Sequence, residues 1–244
     1  PEVVHTERGT DILKNFVLNI CKAKQEWTME GFVEKTIKEI SKIEGNVLCG
    51  VSGGIDSTVA ALLIHKAIGD RQTGVFVDNG LLRLDESKEI EDMFKNNFSL
   101  NFHRVDASEQ FLSKLKGITD PEQKRKIVGE EFIQVFTEFA KQKGPFKWLA
   151  QGTLYPDVIE SGVSKGPAAV IKSHHNVGGL PEWLNLKILE PLRELYKDEV
   201  RDVARILGVP EKLLKRHPFP GPGLSVRIMG EITPSKLAIC RKAS

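Results

Sequence analysis

The sequence predicts an α/β domain, a doubly wound and mostly parallel sheet with helices on both faces. Two observations carry that reading. Short apolar runs alternate with helix-period segments from residue 46 onward, and a glycine-rich turn joins the first run to the first helix of the series. Two amphipathic helices come first, over Asp11–Ala23 and Met29–Ile43, the former with Ile12, Phe16 and Ile20 at helical spacing. Asn46–Val51 reads as a buried strand and Asp56–Ile68 as an apolar-striped helix. Thr73–Val77 is the next strand, followed by the turn Asp78-Asn79-Gly80 and a charged helix near Asp85–Phe94. Phe102–Val105 and Trp148–Ala150 read as further strands, with a long helix between them over Pro121–Lys143 whose proline suits a first helical position. Strand–helix alternation of this kind gives right-handed βαβ units and a parallel sheet. The last third is less regular. Short strands are expected at Ala169–Lys172 and Lys187–Leu189, within and after a loop rich in turn residues. A helix over Lys197–Leu207 is stopped by Gly208 and Pro210. His217–Gly223 holds three prolines and two glycines, which excludes helix and central strand. A final helix is expected over Pro234–Arg241.

Composition narrows the function classes. Hydrophobic residues make up 40% and charged residues 28% of the 244, the profile of ordinary globular sequence. A net charge of +2 gives no reason to expect a nucleic-acid partner. The longest aliphatic run, Val59–Ile64, falls far short of the ~20 residues of a membrane span, so no membrane association is expected. Cys21, Cys49 and Cys240 are odd in number and lack paired spacing, which argues against a disulfide framework or zinc site and for a cytoplasmic location. No leader-like segment opens the chain, and both ends read as cuts in a longer protein.

The sharpest local signal is Gly50-Val51-Ser52-Gly53-Gly54-Ile55-Asp56-Ser57, between a strand and a helix. Three readings of it compete. In the first, sparse side chains leave the amides of residues 52–57 open beside a helix N-terminus, forming an anion cradle to which Ser52, Ser57 and Thr58 add hydroxyls. Asp56 is out of place in such a cradle unless a divalent cation links it to phosphates. In the second, Gly-x-Ser-x-Gly makes Ser52 a hydrolase nucleophile, with His174, His175 or His217 as its base. In the third, this is a plain glycine turn with Asp56 as the helix N-cap. Neither a Walker A loop nor a dinucleotide fingerprint fits.

Ser52-Gly53-Gly54-Ile55-Asp56-Ser57 after a strand resembles the pyrophosphate loop of the N-type ATP pyrophosphatases, whose members include GMP, NAD and asparagine synthetases. Four further segments are similar to the GMP synthetase family: Phe76–Arg83, Gln151–Ser161, Ile171–Asn176 and Arg216–Leu224. The NAD synthetases are the nearest competitor. Pro1-Glu2-Val3-Val4-His5-Thr6 resembles the stretch just after the catalytic histidine of class I glutaminases, which makes Glu2 a leftover triad acid. The resemblance divides the chain into a glutaminase stub and linker (1–24), an ATP pyrophosphatase domain of the adenine nucleotide alpha-hydrolase-like fold (25–224) and the start of a dimerisation region (225–244).

The resemblance implies synthesis of GMP from XMP, ATP and ammonia with release of pyrophosphate and AMP. The ammonia would come from a glutaminase domain or subunit, the metal would be Mg²⁺, and the full-length protein would be a homodimer. Ser52, Gly53, Gly54, Ile55, Asp56, Ser57 and Thr58 would hold the phosphates, with Asp56 near Mg²⁺ and Lys197 reaching the phosphates. Val77 would read adenine through its backbone, and Gly152 and Thr153 would line the nucleotide pocket. Asp157, Glu160, Lys172, His174 and His175 would act from a glycine-rich lid region, handling ammonia and the adenylated oxygen. Arg125 and Arg227 are the residues expected on XMP.

Overall fold

A computed structural model describes residues 2–163, 186–217 and 219–244. The expected strand at Ala169–Lys172, and with it Lys172, His174 and His175, lies outside those residues.

Helices α1 (Glu2–His5) and α2 (Gly9–Lys14) open the chain, and α2 runs into a π-helical stretch, Asn15–Ile20. Ile12, Phe16 and Ile20 are all exposed, so the apolar stripe read from their spacing has no cover among the described residues. Helix α3 (Met29–Ile40) starts at Thr28, whose hydroxyl accepts the Gly31 N–H at 3.1 Å, and buries Phe32, Val33 and Ile40.

The sheet comes next. Strands β1 (Val47–Gly50), β2 (Gln72–Asp78), β3 (Phe102–Asp106), β4 (Trp148–Ala150) and β5 (Lys187–Leu189) are all parallel, in the order β3-β2-β1-β4-β5. Side chains alternate across it. Val47, Cys49, Phe76 and Ala150 face α4 (Ile55–Ile68) and α5 (Glu86–Asn97). Leu48, Val75, Val77 and Leu149 face α6 (Ser108–Lys114) and α7 (Pro121–Lys143). Helix α4 is apolar nearly all round because a second layer covers its far side. That layer comprises α3, α9 (Lys197–Ile206) and α10 (Glu211–Leu214), joined by Leu154 just before α8 (Tyr155–Val163) and by Leu192 and Leu195 after β5. The doubly wound reading is thus borne out.

Two differences bear on function. Asp157 and Glu160, expected in a loop, lie on α8. The C-terminal residues do not stand apart: Leu224, Ile228 and Leu237, the last on α11 (Pro234–Ala243), pack in one cluster with Leu48 and Val75.

The order reverses between β1 and β4. The chain leaves β1 toward β2 and β3, then returns to β4 on the other side. In sheets of this kind ligands sit outside the strand ends at that switch point, and the glycine turn after β1 occupies it.

Candidate functional site

At the switch point the turn is built by its own hydroxyls. Ser57 Oγ accepts the Ser52 N–H at 3.1 Å, lies 3.0 Å from Ser52 Oγ and donates to the Gly54 carbonyl at 3.1 Å. Ser52 Oγ accepts the Gly54 N–H at 3.3 Å. Thr58 is fully buried, and its hydroxyl and N–H both return to the Gly54 carbonyl. Two amides and three hydroxyls expected in the cradle therefore shape the loop instead. The N–H groups of Gly53, Ile55, Asp56 and Ser57 find no acceptor among the described residues. They converge at the positive end of a buried helix, an arrangement that suits an anion.

This loop forms one wall of a cleft of about 500 Å³. Val77 lies at another wall. Strand β1 pairs with β2 only as far as Gly50 and Val75, and Val51 donates to the Val75 carbonyl at 2.8 Å. In a parallel strand alternate residues turn N–H and C=O to the same neighbour. Val77, two residues on, therefore presents both groups on the side where β1 has ended, at the cleft. Phe132 and Phe136, one turn apart on α7, add aromatic surface.

Lys197, the first residue of α9, enters from the second layer. Its ammonium donates to both Asp56 oxygens at 2.6 Å. Gly152 lies where a Cβ would come within 3.3 Å of the Asp56 carbonyl carbon and 3.4 Å of the Ser57 nitrogen, so the loop after β4 abuts the start of α4. Thr153 is half-buried beside it.

The remaining expected residues fare differently. Asp157 Oδ2 accepts the Leu154 N–H at 2.9 Å, reaching back over the first turn of α8 as the acid of a capping box does. Glu160 shares that helix. Arg125 pairs with Glu122 one turn back on α7, at 2.8 Å on the solvent side, and does not line the cleft. Arg227 is exposed, with its guanidinium 5.2 Å from the Phe219 ring centroid, and Phe219 lines the cleft. Arg83 approaches the same ring at 4.5 Å.

Several cleft residues escaped the sequence reading: Glu86, Phe132, Phe136, Arg201 and Arg216, while His217, read only as a possible base for Ser52, lines the cleft as well. The two phenylalanines lie at helical spacing within the long helix, as core residues do. Arg216 had one signal, its place just before the proline-glycine loop.

The hydrolase reading of Ser52 is not supported. Among the described residues its hydroxyl meets Ser57 and the Gly54 N–H and no histidine, and the positive φ of the turn (+75°) belongs to Gly53 instead of the serine. Cys49, beneath the loop, is no nucleophile either. Burial pushes its thiol up to about 12, against a smaller opposing effect of Gln72.

For Mg²⁺ the fit is narrow. Among the described residues no three acidic, histidine or cysteine side chains gather as a metal site. Asp56 supplies one partly exposed carboxylate beside the cradle, a set that suits Mg²⁺ only together with substrate phosphates and water.

The family described as NAD synthase matches residues 27–133. A glutamine-hydrolyzing GMP synthase from Nitratidesulfovibrio vulgaris strain Miyazaki F is 60% identical over 100% of this chain and 48% of its own length. The Carboxydothermus hydrogenoformans protein of that name is 58% identical over the same shares. The chain thus spans about half the length of these relatives. Among solved structures, the NMN synthetase of Francisella tularensis superposes with a TM-score of 0.59 at 16% identity, covering 90% of this chain and 95% of that one. The NH3-dependent NAD synthetase of Campylobacter jejuni gives 0.58 at 14%, over 88% and 93%. At such identities these two likenesses concern the fold alone. Along its whole length this chain is similar to about half the length of the glutamine-hydrolyzing GMP synthases, and its fold is that of the NAD synthetases.

Proposed function

We propose that this chain binds ATP in the cleft and uses it to activate XMP for amination to GMP. The observation that carries the reading is the pairing of two open backbone surfaces in one cleft. The free N–H groups at the start of α4 suit a polyphosphate, and the unpaired Val77 edge suits the donor–acceptor edge of adenine. Phe132 and Phe136 offer faces for a purine ring.

The chemistry asks for this layout. The C2 oxygen of xanthine is a poor leaving group until it is joined to the α-phosphorus of ATP. That step expels pyrophosphate and stores the activation in an adenylated oxygen. Ammonia then attacks C2, and AMP departs. Negative charge grows on the departing pyrophosphate, where fixed N–H groups stabilise it without having to reorganise. Lys197 stands at the same place, ready to exchange Asp56 for a phosphate oxygen. Mg²⁺, held by Asp56 and the phosphates, would add neutralising charge there.

Asp157, Glu160, Lys172, His174 and His175 are proposed to handle ammonia and the adenylated oxygen. Asp157 would do so only after releasing Leu154, and Lys172, His174 and His175 belong to residues outside the described structure. Arg227 is proposed to meet XMP from beside Phe219, whereas Arg125 would need to leave Glu122 and cross from the solvent side of α7.

The name of the relatives suggests ammonia supplied by glutamine hydrolysis. Residues 1–24 would then be the end of a glutaminase domain, with Ile12, Phe16 and Ile20 packed on it. Residues 225–244 would begin a dimerisation region of a cytoplasmic homodimer. A membrane or nucleic-acid partner is not part of the reading, and no helix among the described residues is long and apolar enough to cross a membrane.

The test is pyrophosphate release from ATP, Mg²⁺ and ammonium, with XMP or deamido-NAD as acceptor. Release with XMP and none with deamido-NAD is expected. The reverse would make the chain an NAD synthetase in chemistry as well as fold, and release with neither would remove the ligase reading.

A further inference from the structure

The apex of the phosphate loop is a Gly53-Gly54 pair, and a peptide plane between two glycines turns over at little steric cost. In one orientation the Gly54 N–H rests on Ser52 Oγ and the Gly53 carbonyl faces Arg216, away from the free N–H groups of the loop; in the other that carbonyl oxygen would stand against an anion held by them. The fold has a means of choosing. Arg216, which lies 163 positions along the chain from Gly53, donates from Nη1 to the Gly53 carbonyl at 3.4 Å and from Nη2 to Glu86 Oε1 at 2.6 Å. Glu86 is only 4% exposed, and its second oxygen accepts the Arg83 N–H at 2.8 Å in the first turn of α5. One turn further along α5, Ile90 lies so close under Gly53 that a Cβ there would sit 2.3 Å from its Cδ1. Arg216 also forms the partition between the cleft and a second hollow of about 410 Å³. Without an anchor, its guanidinium has room to swing away.

We propose that Glu86 and Arg216 are positioning residues for the phosphate loop. Glu86 fixes the guanidinium, and the guanidinium keeps the Gly53 carbonyl turned to itself, so that the neighbouring N–H groups remain free for phosphate oxygens. The proposal rests on the phosphate-seat reading of the loop and deepens it. A direct role, with Arg216 itself gripping phosphate, predicts the opposite sign for one change. Removing the negative charge of Glu86 would release Arg216 and tighten anion binding, whereas loss of positioning weakens it.

Calorimetric titration of the full chain with magnesium pyrophosphate, and separately with adenosine, distinguishes these. Wild type is expected to bind both. Glu86→Gln and Arg216→Gln should each weaken pyrophosphate about tenfold, the scale of one lost charge-assisted hydrogen bond. The double variant should be no worse than the worse single one, because both act through the same peptide. Arg216→Lys, whose ammonium cannot hold Glu86 and Gly53 in a fork, should be weakened as well. Adenosine binding should be unchanged throughout. Should Glu86→Gln fail to fold, Glu86→Asp, which keeps the charge but draws it back from the guanidinium, takes its place and should weaken pyrophosphate binding in the same way. Pyrophosphate binding by Glu86→Gln or Arg216→Lys at or above the wild-type level overturns the proposal and leaves the seat intact. Equal losses for adenosine and pyrophosphate reduce the pair to general structure and overturn it too. A wild-type chain that ignores pyrophosphate overturns the seat and the proposal together.

Discussion

Asp56 and Lys197 hold each other at 2.6 Å, yet their side chains are 32% and 42% exposed, so the pair contributes at most about 1 kcal/mol to folding. Its importance is chemical: an ammonium is kept at the mouth of the cradle by a carboxylate that a cation would compete for. Lys197→Met should therefore lower the rate of pyrophosphate release by about a hundredfold while moving the melting temperature by no more than about 4 °C. Turnover and calorimetry read the two effects separately, and unchanged turnover would return Lys197 to the ranks of solvated helix lysines. Gly53 gives the complementary case. Its φ of +75° and the Ile90 side chain beneath it both exclude a Cβ. Gly53→Ala should destabilise the chain by about 1–3 kcal/mol in urea unfolding and abolish measurable pyrophosphate binding. Part of the loss is a clash with one side chain. Gly53→Ala with Ile90→Ala should accordingly fall short of the two single losses added together, and strict additivity would show that strain in the backbone is the whole effect.

At the junctions between strands and helices, side chains that end one element start the next. Asp106 closes β3, and its carboxylate accepts the Ser108 hydroxyl at 2.6 Å and the Ser108 N–H at 3.1 Å, which opens α6. These bonds, with a smaller contribution from Arg104, hold its pKa below the ordinary 3.8. A carboxylate whose folded pKa is depressed adds stability that is complete above the unfolded value and fades as pH falls through the folded one. The gap between wild type and Asp106→Asn, read from urea midpoints, should be about a few tenths of a kcal/mol near neutrality, since the side chain is 57% exposed, and should close as pH falls below the ordinary 3.8 and on through the folded pKa. A gap that stays constant into acid would sink the linkage. Junctions of this kind also explain what the sequence makes legible. Helix α7 is read to the residue because Asp120 and Pro121 open it and Gly144-Pro145 closes it. Helix α6 passes unnoticed, since seven residues with Phe111 as the one buried side chain offer too short a period. Helix α8 is hidden by its Tyr-Pro start and the glycine near its end. The stripe Ile12, Phe16, Ile20 is plain in the sequence, but a stripe states only that cover is needed and does not name the cover. The glycine loop after β1 is legible because one unbroken run supplies it. Glu86 and Arg216 are not, because 130 positions separate them and only the packing of α5 against the chain after α10 brings them together.

Over the whole molecule the two ends are tied very differently, and the C-terminal tie reaches the cleft. The N-terminal helices leave their apolar residues exposed, whereas residues 219–244 close over the C-terminal edge of the sheet. Leu224 donates to the Leu81 carbonyl at 2.7 Å, and Arg241 donates to the carbonyls of Gly80 and Leu82 at 2.7 and 3.2 Å, so the turn after Val77 is gripped from outside. Lys124 anchors the middle. It is fully buried, and its ammonium donates to the carbonyls of Ser225, Ile228 and Gly230 at 3.2, 2.8 and 2.6 Å. Burial and the nearby Lys236 push its pKa down, partly offset by Asp120. The three carbonyls are what make a charged group tolerable there. Lys124→Met keeps the length of the side chain and strands those carbonyls, for a loss of about 2–4 kcal/mol. If the lysine is a local tie, hydrogen exchange should show the loss unevenly. The amides of Arg227 and Ile228, which bond the Leu224 carbonyl, should exchange more than about tenfold faster relative to those of β1 and β2, and adenosine affinity should fall as Phe219 loses its support. Equal acceleration at all these amides would make Lys124 a contributor to global stability alone. The grip of the C-terminal segment on the cleft would then have to rest on Arg241 and Leu224.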